Sequence, residues 1–463
     1  MDNDNAEAAV IRAMRVTLAA AQPGERLPSV RSLMARLRVS PVTVQHAMRR
    51  LAAEGAIEVR PGQGTFAAPA ATVPESPDLR WQSVALGPRA DGDEALPDLL
   101  AVPPLDTIAL SGGYLDPALQ PIAALGAALG RAARRPASWA RGRSDVPDDL
   151  RGWFARQAGG AFQPGDVVVC PGGQAALSTA FRALARPGDT VLVESPTYLG
   201  AIAVARSAGM RVVPVPADAD GVRPDLLADA FERTGSRLFY CQPLYANPHG
   251  GVLSVRRRGL VLDIVAAAGA FLLEDDWARD LAIDGTPALP LASEDVHGHV
   301  VYLRSLTKSA APGLRIAGIA ARGAAGARLR TACVRDDLFV SGPLLEASMD
   351  FLSSPAFQRH LRALRPALAA RREAMVAGLR AHLPSLTPAV VPAGGLHLWT
   401  RLPDNLDDRS VVAAAARQGV AVHAGRPWYV DDPPAPHLRL TFGSAAPAVV
   451  SEGVRRLAVA IHG

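Results

Sequence analysis

Seven short, almost purely apolar runs follow one another between residues 167 and 321, with helical patterns between many of them. Runs of this length and composition predict β-strands that are buried on both faces. Alternation of such strands with helices favours a mostly parallel sheet with helices on both sides, which is an α/β fold. The predicted strands are residues 167–170, 190–194, 211–215, 237–241, 270–276, 299–305 and 315–321.

The rest of the chain divides around this region. A length of 463 residues predicts two or three domains, at roughly 150 residues each. Residues 1–68 contain short helical patterns and a glycine-rich hairpin. Residues 69–105 are rich in Pro, Asp and Ala and lack a sustained period, which predicts a semi-extended linker. We expect residues 106–463 to form the α/β domain, with a smaller α+β subdomain from about residue 340.

Composition argues against several classes of protein. No uninterrupted apolar run approaches the ~20 residues that a membrane span needs. The polar, acidic first ten residues do not predict a signal peptide. Cys170, Cys241 and Cys333 lie far apart without metal-ligand spacing, so we expect buried thiols in a reducing cytoplasm and no metal site. A net charge of +5 and an isoelectric point of about 9.5 permit contact with nucleic acid.

Two short amphipathic helices are predicted within the first 68 residues. Ser29 can cap the first, and Ser40 can cap the second, where Pro41 takes the first helical position at no cost in hydrogen bonds. Two short strands around a glycine-rich turn follow. This pattern is typical of a helix-turn-helix with a wing that reads a DNA groove. The side chains expected to point outward from the second helix are Thr43, Gln45, His46, Arg49 and Arg50.

Residues 24–66 resemble the winged helix-turn-helix of the GntR family, because LPSxR, a second helix containing TV, LxxEG and RPGxGTF occur in order. The resemblance implies contacts with double-stranded DNA from these helices and from the wing. Pro41 departs from the pattern, since many relatives carry a basic residue there. A helical domain without a ligand is the alternative, and the wing argues against it. The predicted DNA contacts are Arg31, Ser40, Thr43, Gln45, His46, Arg49, Arg60 and Gly62.

The chain contains a single lysine, Lys308, against 48 arginines. Arginine is used wherever positive charge alone is needed, so one lysine suggests a task that a guanidinium cannot perform. A buried amine can lose its proton and form an imine with a carbonyl, as in pyridoxal phosphate chemistry. The alternative is a surface lysine that survived an arginine-rich codon bias, and the neighbours of Lys308 argue against it.

Residues near Lys308 and at the ends of other predicted strands could hold such a cofactor. Ser305 and Arg315 flank the lysine and could bind a phosphate. Gly172 and Gly173 lie at a turn from strand to helix, where free N–H groups attract an anion. Each residue taken singly also fits a structural role. All of them, however, are placed at carboxyl ends of strands, the edge where α/β sheets bind ligands.

Four more side chains follow predicted strands or turns. Asp275 could keep a pyridine nitrogen protonated, and Asn247 could donate to a phenolic oxygen. Tyr198 could stack on the ring, and Arg439 could bind a carboxylate. Each also has a structural alternative. Asp275 could cap a helix and Asn247 could form a turn. Tyr198 could pack in the core, and Arg439 could be a surface charge.

The order of these motifs resembles the fold-type I aminotransferases across residues 106–463. The resemblance implies that Lys308 is the catalytic residue, joined to pyridoxal 5'-phosphate, and that Arg439 binds a carboxylate. Trp277 departs from the pattern, because relatives usually have a tyrosine there, and indole can donate but cannot accept a hydrogen bond. The tyrosine-containing turn of relatives is replaced by residues 138–151. The implied cofactor contacts are Asp275, Asn247, Tyr198, Gly172, Gly173, Gln174, Ser305, Arg315 and Trp277.

A GntR-like unit followed by an aminotransferase-like domain resembles the MocR (GabR-type) bacterial transcription regulators over nearly the whole chain. The resemblance implies a cytoplasmic homodimer on an operator with two half-sites. It also implies sensing of an amino compound that replaces Lys308 on the cofactor, as an external aldimine. A working aminotransferase with an incidental DNA-binding module is one alternative. A sensor of pyridoxal phosphate itself is another.

Overall fold

The computed structural model describes residues 3–68, 78–87, 97, 100–104, 106–140, 148–388 and 390–463. The chain forms two compact units, Met1–Pro88 and Arg89–Gly463. Among the described helices, none combines the length and the apolar character that a membrane span requires. Within the same ranges, His, Cys, Asp and Glu side chains form no group of three or more that could hold a metal ion.

The first unit contains both helix caps that the sequence predicts. The Ser29 hydroxyl accepts a hydrogen bond from the Ser32 N–H, and the Ser40 hydroxyl accepts one from the Thr43 N–H, both at 3.2 Å. These oxygens satisfy N–H groups that have no partner within the helix. The elements are α1 (Asn3–Ala20), α2 (Val30–Leu37), α3 (Pro41–Ala53), β1 (Ile57–Arg60), β2 (Gly64–Ala67) and α4 (Arg80–Leu86).

The core of this unit lies between α1, α2 and α3. The inner face of α3 is buried as predicted, and Val10 and Met14 of α1 are fully buried in the same cluster. One expectation is wrong: Thr43 is buried, and its hydroxyl lies 2.8 Å from that of Ser40. Thr43 and Ala47 are four residues apart and so share the inner face. The buried residues of α3 are Thr43, Val44, Ala47, Met48 and Leu51.

The hairpin after α3 has the form of the predicted wing. Strands β1 and β2 pair in antiparallel register, from Ile57 opposite Ala67 to Arg60 opposite Gly64. Gly62 in the connecting turn has a φ of +73°, which a residue with a side chain rarely adopts. The chain can therefore reverse tightly, with Gly62 exposed at the tip.

The predicted linker, residues 69–105, falls largely outside the described residues. Its described part contains α4, a helix that the lack of a sequence period did not predict. Trp81, Val84 and Leu86 of this helix are exposed.

An eight-stranded sheet organises the second unit, and all seven predicted strands belong to it. The strands are β4 (Val167–Cys170), β5 (Thr190–Ser195), β6 (Arg211–Asp218), β7 (Gly221–Val222), β8 (Leu238–Cys241), β9 (Phe271–Asp275), β10 (Val300–Ser305) and β11 (Ala317–Ala320). Their order is β4-β11-β10-β9-β8-β5-β6-β7. Strand β11 pairs antiparallel with both neighbours and β7 pairs antiparallel with β6, while the other pairs are parallel. The mostly parallel sheet confirms the predicted α/β fold.

Helices cover both faces of this sheet. Val167 and Val169 of β4 belong to one apolar core, and Val168 and Cys170 belong to another. Successive side chains of a strand point to opposite faces, so a run without polar residues is buried on both. The helices are α5 (Ile122–Ala133), α6 (Asp148–Ala158), α7 (Gly173–Leu184), α8 (Leu199–Ser207), α9 (Pro224–Thr234), α10 (Val255–Ala267), α11 (Gly323–Asp337) and α12 (Gly342–Leu352).

The end of the chain forms a smaller subdomain around a three-stranded antiparallel sheet. Its elements are α13 (Pro355–His382), β12 (His397–Arg401), α14 (Asp408–Arg417), β13 (Val420–Ala421), β14 (His423–Ala424), β15 (His437–Thr441) and α15 (Pro447–His462). The strand order is β12-β15-β14. An additional strand, β3 (Ile108–Ala109), pairs in parallel with β13. The first residues of the α/β domain therefore pair with this subdomain, which the sequence predicted from about residue 340 onwards.

Candidate functional site

Lys308 lies in the loop after β10 and lines a cavity together with residues from several other loops. Its Nζ donates a hydrogen bond to the Gly113 carbonyl (2.8 Å) and lies 3.8 Å from the centre of the Tyr114 ring. Burial and the positive charge of Arg439 lower the pKa of Lys308 to about 7. Much of the amine is therefore uncharged near neutral pH, which is the form that attacks a carbonyl carbon.

Asp275 ends β9 on the wall of the same cavity. Its Oδ2 accepts hydrogen bonds from the Tyr240 hydroxyl (2.7 Å) and from Nε2 of Gln242 (2.8 Å). Burial raises the pKa of Asp275 to about 6, while these two donors act in the opposite direction. A buried carboxylate held in this way is suited to face a protonated ring nitrogen, whose charge would favour the ionised form.

An anion cradle lies where the chain leaves β4 and enters α7. Gly172 has a φ of +97°, and a Cβ at this position would lie 2.6 Å from the guanidinium carbon of Arg315. Arg315 donates a hydrogen bond to the Pro171 carbonyl (3.1 Å). Helix α7 begins at Gly173, so its first free N–H groups lie next to this guanidinium. A guanidinium beside a helix N-terminus suits a phosphate group.

Ser305 ends β10 and faces the start of α7. A Cβ added to Gly173 would lie 3.4 Å from the Cβ of Ser305. The Ser305 hydroxyl donates to Oγ1 of Thr307 (3.0 Å), and both residues line the cavity. The Thr307 hydroxyl keeps its own proton to donate. Ser305 was predicted from the sequence as a phosphate ligand, whereas Thr307 was not.

Tyr198 and Gln174 form one wall of the cavity. The Tyr198 hydroxyl donates to Oε1 of Gln174 (3.1 Å), whose Nε2 donates to the Gly200 carbonyl (3.2 Å). Burial raises the pKa of Tyr198, so its hydroxyl stays protonated. A neutral ring that is fixed in this way could stack on an aromatic cofactor.

Arg439 is buried in β15 with 1% of its surface exposed. It donates to the Ser111 carbonyl (2.6 Å) and to Oδ1 of Asn247 (3.3 Å), and its guanidinium lies 4.6 Å from the centre of the Trp428 ring. Its Nε has no hydrogen-bond partner, and no carboxylate of the described residues pairs with it. A buried cation without a counter-ion favours an anionic ligand.

Trp277 lines the cavity, but its polar atom points elsewhere. The indole N–H donates to the Tyr245 carbonyl (3.1 Å), and the ring stacks on that of His397 at 5.7 Å between centres. This N–H is therefore already engaged and does not take the place of a tyrosine hydroxyl. The replaced turn, residues 138–151, falls partly outside the described residues.

The structure brings the predicted cofactor and carboxylate residues together around one cavity. Gly172 is not itself part of the wall and instead packs against Arg315. The sequence did not predict some other residues of the wall, although Gln242 carried a usable signal as a polar side chain directly after a buried strand. Those that it found on the wall are Gly173, Gln174, Tyr198, Asn247, Asp275, Trp277, Ser305, Lys308, Arg315 and Arg439. Those that it missed include Gly113, Tyr114, Gln242, Thr307 and His397.

The residues predicted to contact DNA are placed on the first unit. Arg31 of α2 and Gln45, His46 and Arg49 of α3 are exposed, as is Gly62 at the tip of the wing. Ser40 is exposed, although its hydroxyl caps α3.

Arg60 is half-buried at the base of the wing. It pairs with Glu58 at 2.8 Å and lies over the Phe66 ring at 4.6 Å. Thr43 was also predicted to contact DNA, but its side chain is buried inside the first unit.

The residues around Lys308 fit pyridoxal phosphate as a group. The amine of Lys308 would hold its carbonyl carbon, Asp275 its ring nitrogen, and Arg315 with the start of α7 its phosphate. The closely packed pair of Gly172 and Arg315 is the specific evidence, because any side chain at Gly172 would displace the guanidinium.

Two protein families match the chain. The model for aminotransferases of class I and II matches residues 140–457, and the model for bacterial regulatory proteins of the gntR family matches residues 11–67. The probable rhizopine catabolism regulatory protein MocR of Rhizobium meliloti is 29% identical over 441 residues, which are 93% of this chain and 88% of that protein. The 2-aminoadipate transaminase of Thermus thermophilus is 31% identical over 319 residues, or 68% of this chain and 79% of that protein.

A solved structure extends the likeness to three dimensions. The α-aminoadipate aminotransferase LysN of Thermus thermophilus, complexed with N-(5'-phosphopyridoxyl)-L-leucine, superposes with a TM-score of 0.75 at 27% identity. The match covers 83% of this chain and 98% of that structure. The cofactor of the second unit is pyridoxal phosphate. This chain therefore belongs to the MocR-type transcription regulators, in which a GntR-family DNA-binding unit precedes a domain of the aminotransferase class I and II family.

Proposed function

We propose that this protein regulates transcription in response to an amino compound that binds at Lys308 and Arg439. The observation that carries the proposal is the pairing of two groups on one cavity. Lys308 has an amine that is partly uncharged near neutral pH, and Arg439 is a buried guanidinium without a carboxylate partner among the described residues. An amino acid carries the two complementary groups.

Each residue of the cavity has a distinct task in this proposal. Bound pyridoxal phosphate supplies an aldehyde carbon that forms imines reversibly, so that an effector amine can exchange there with Lys308. Arg439 binds the effector carboxylate, and Asp275 keeps the ring nitrogen protonated. Arg315 and the start of α7 anchor the phosphate and thereby fix the position at which amines exchange.

A response requires that the effector bind two arrangements of the protein with different affinity. We propose that closure of the small subdomain over the cavity shifts how paired DNA-binding units sit on an operator with two half-sites. Arg439 belongs to that subdomain and Lys308 to the large sheet, so an effector held by both would favour closure. We also propose a cytoplasmic location, because that is where a bacterial operator lies.

Pairing of two chains is part of the proposal. Trp139, Leu338 and Phe339 each leave more than half of their surface exposed in the single chain. Burial of such side chains is favourable, and fold-type I domains are expected to pair through their large domains. Sedimentation of the purified protein should give the mass of a dimer.

The test is a titration with candidate amines in which cofactor absorbance and operator affinity are followed together. We expect one class of amine to change both signals with the same midpoint. If amines change the absorbance without changing operator affinity, the proposal fails.

A working aminotransferase is the second candidate, and the residues that Lys308 shares the cavity with support it. Lys308 with a pKa of about 7 could act as a base as well as a nucleophile. Steady-state transfer between an amino donor and a 2-oxoacid at about 1–10 s⁻¹ would favour this function. A change in operator affinity with pyridoxal phosphate alone would instead favour a sensor of the cofactor.

A further inference from the structure

His397 lines the cavity beside Lys308 and Arg439, and none of the roles assigned above uses it. It lies at the start of β12 with 3% of its surface exposed. A histidine in this position can offer a hydrogen-bond donor, an acceptor or a positive charge, depending on where its protons lie. The neighbouring residues determine which of these it offers.

Thr441 fixes the position of the histidine proton. The two residues are opposite each other on β12 and β15, and Nδ1 of His397 lies 3.0 Å from Oγ1 of Thr441. The Thr441 hydroxyl donates its only proton to the Gly112 carbonyl at 2.5 Å. It can therefore only accept from His397, so Nδ1 must carry a proton. In the neutral ring, Nε2 is then left as an acceptor.

The charges around His397 keep the ring neutral. Burial, together with the positive charges of Arg439 and Lys308, holds the pKa of His397 well below its ordinary value. Trp277 stacks on the ring with an angle of 19° between the planes, which restricts its rotation. The indole N–H is bonded to Tyr245 and does not compete for Nε2. The cavity therefore presents a fixed, uncharged acceptor in the neighbourhood of Arg439 and Lys308.

Resting on the proposed function, we propose that His397 selects the effector. The proposed effector is an amino acid whose carboxylate lies against Arg439 and whose side chain ends in a neutral donor, a hydroxyl or an amide N–H, that bonds to Nε2. An anionic side chain has no proton to donate to Nε2, so two hydrogen-bond acceptors would repel each other there. A cationic side chain would be repelled by the guanidinium of Arg439 and by the protonated fraction of Lys308. An apolar side chain would leave Nε2 desolvated and without a partner, which is unfavourable.

Three pairs of amino acids of matched size test this selection: threonine with valine, asparagine with aspartate, and glutamine with glutamate. Binding to the holoprotein is measured by the change in cofactor absorbance, and operator affinity is measured in parallel. In the pair that binds most tightly, we expect the neutral donor to bind at least about tenfold more tightly than its partner. Preference for valine, aspartate or glutamate in that pair would overturn the inference and leave the proposed function intact.

Variants distinguish selection by His397 from a general change in the cavity. His397→Phe keeps an aromatic ring against Trp277 and removes the acceptor, so the preference should disappear while the weaker-binding partner is little affected. Thr441→Val removes the group that fixes the tautomer and should also weaken the preference, whereas Thr441→Ser keeps a hydroxyl and should retain it. An unchanged preference in both His397→Phe and Thr441→Val would overturn the inference. A wild-type protein that binds none of the six amino acids would overturn the inference, whereas the proposed function would still be decided by the titration with other amines.

Discussion

The two units of this protein place arginine in opposite surroundings. On α3, Arg49 is exposed, and Arg50 pairs on the surface with Glu54 at 3.4 Å. In the cavity, Arg439 is almost completely buried and bonds only to neutral groups. An exposed charge is solvated and costs little, whereas a buried charge without a counter-ion is destabilising. The surface of α3 can therefore change without loss of folding, while Arg439 is best explained by a ligand that supplies the missing charge.

The largest effect is expected at Lys308. Lys308→Arg keeps a positive charge but removes the nucleophilic amine, so the purified variant should hold no covalently attached cofactor. Borohydride reduction followed by mass spectrometry measures this directly. Lys308 is the only lysine of the chain, so no other lysine can replace it. A reduced adduct in the variant would break the assignment of the site.

The next largest effect is expected at Arg439, where a substitution tests whether this arginine binds a ligand or stabilises the fold. Arg439→Met should weaken binding of a carboxylate effector by about 100-fold, because a charge-assisted contact is lost. The same variant should unfold at the same temperature as the wild type or higher, since a buried unpaired charge is removed. Arg401→Met on neighbouring β12 is the control, because Arg401 is exposed and pairs with Asp404 at 2.7 Å. A marked loss of stability in Arg439→Met would assign this arginine a structural role.

A smaller effect is expected on the surface of α3. Arg49→Ala should lower operator affinity by about tenfold. It should also reduce the slope of the logarithm of affinity against the logarithm of salt concentration by about one, because one fewer phosphate is neutralised. Arg50→Ala should cost less, because Arg50 is already paired with Glu54. Gln45→Ala should instead relax the preference for one base pair. Fluorescence anisotropy at several salt concentrations measures all three, and equal losses for Arg49→Ala and Arg50→Ala would contradict the assignment.

The smallest effect concerns the pH dependence of folding without the cofactor. Burial raises the pKa of Asp275 to about 6, above its ordinary value of 3.8. The folded protein therefore binds a proton more tightly than the unfolded chain. The resulting stabilisation is complete below about pH 4 and is lost as the pH rises through 6. Relative to Asp275→Asn, the wild-type apoprotein should lose a few degrees of Tm between pH 4 and pH 7. If the Tm of the two proteins changed equally between pH 4 and pH 7, the raised pKa of Asp275 would be contradicted.

Sequence patterns predicted the two units because each unit follows from local rules. The seven apolar strands and the caps Ser29 and Ser40 depend on neighbouring residues, and all are present in the structure. The local rule failed at Thr43, a polar residue that the fold places on the buried face of α3. Helix α4 was also not predicted, since seven residues are too few to establish a period.

The sequence by itself determined the chemistry available to this protein: one amine, a glycine turn before a helix, and an acid at the end of a strand. The tertiary structure decided what those groups experience. Gln242 joins Asp275 to the Asn247 loop, Gly113 accepts from Lys308, and Thr441 sets the proton of His397. Apart from the bond between Gln242 and Asn247, these contacts join residues that are 33 or more positions apart in the chain, so no local pattern contains them. Burial and neighbouring charges, which shift the pKa values of the site, likewise exist only once the chain has folded.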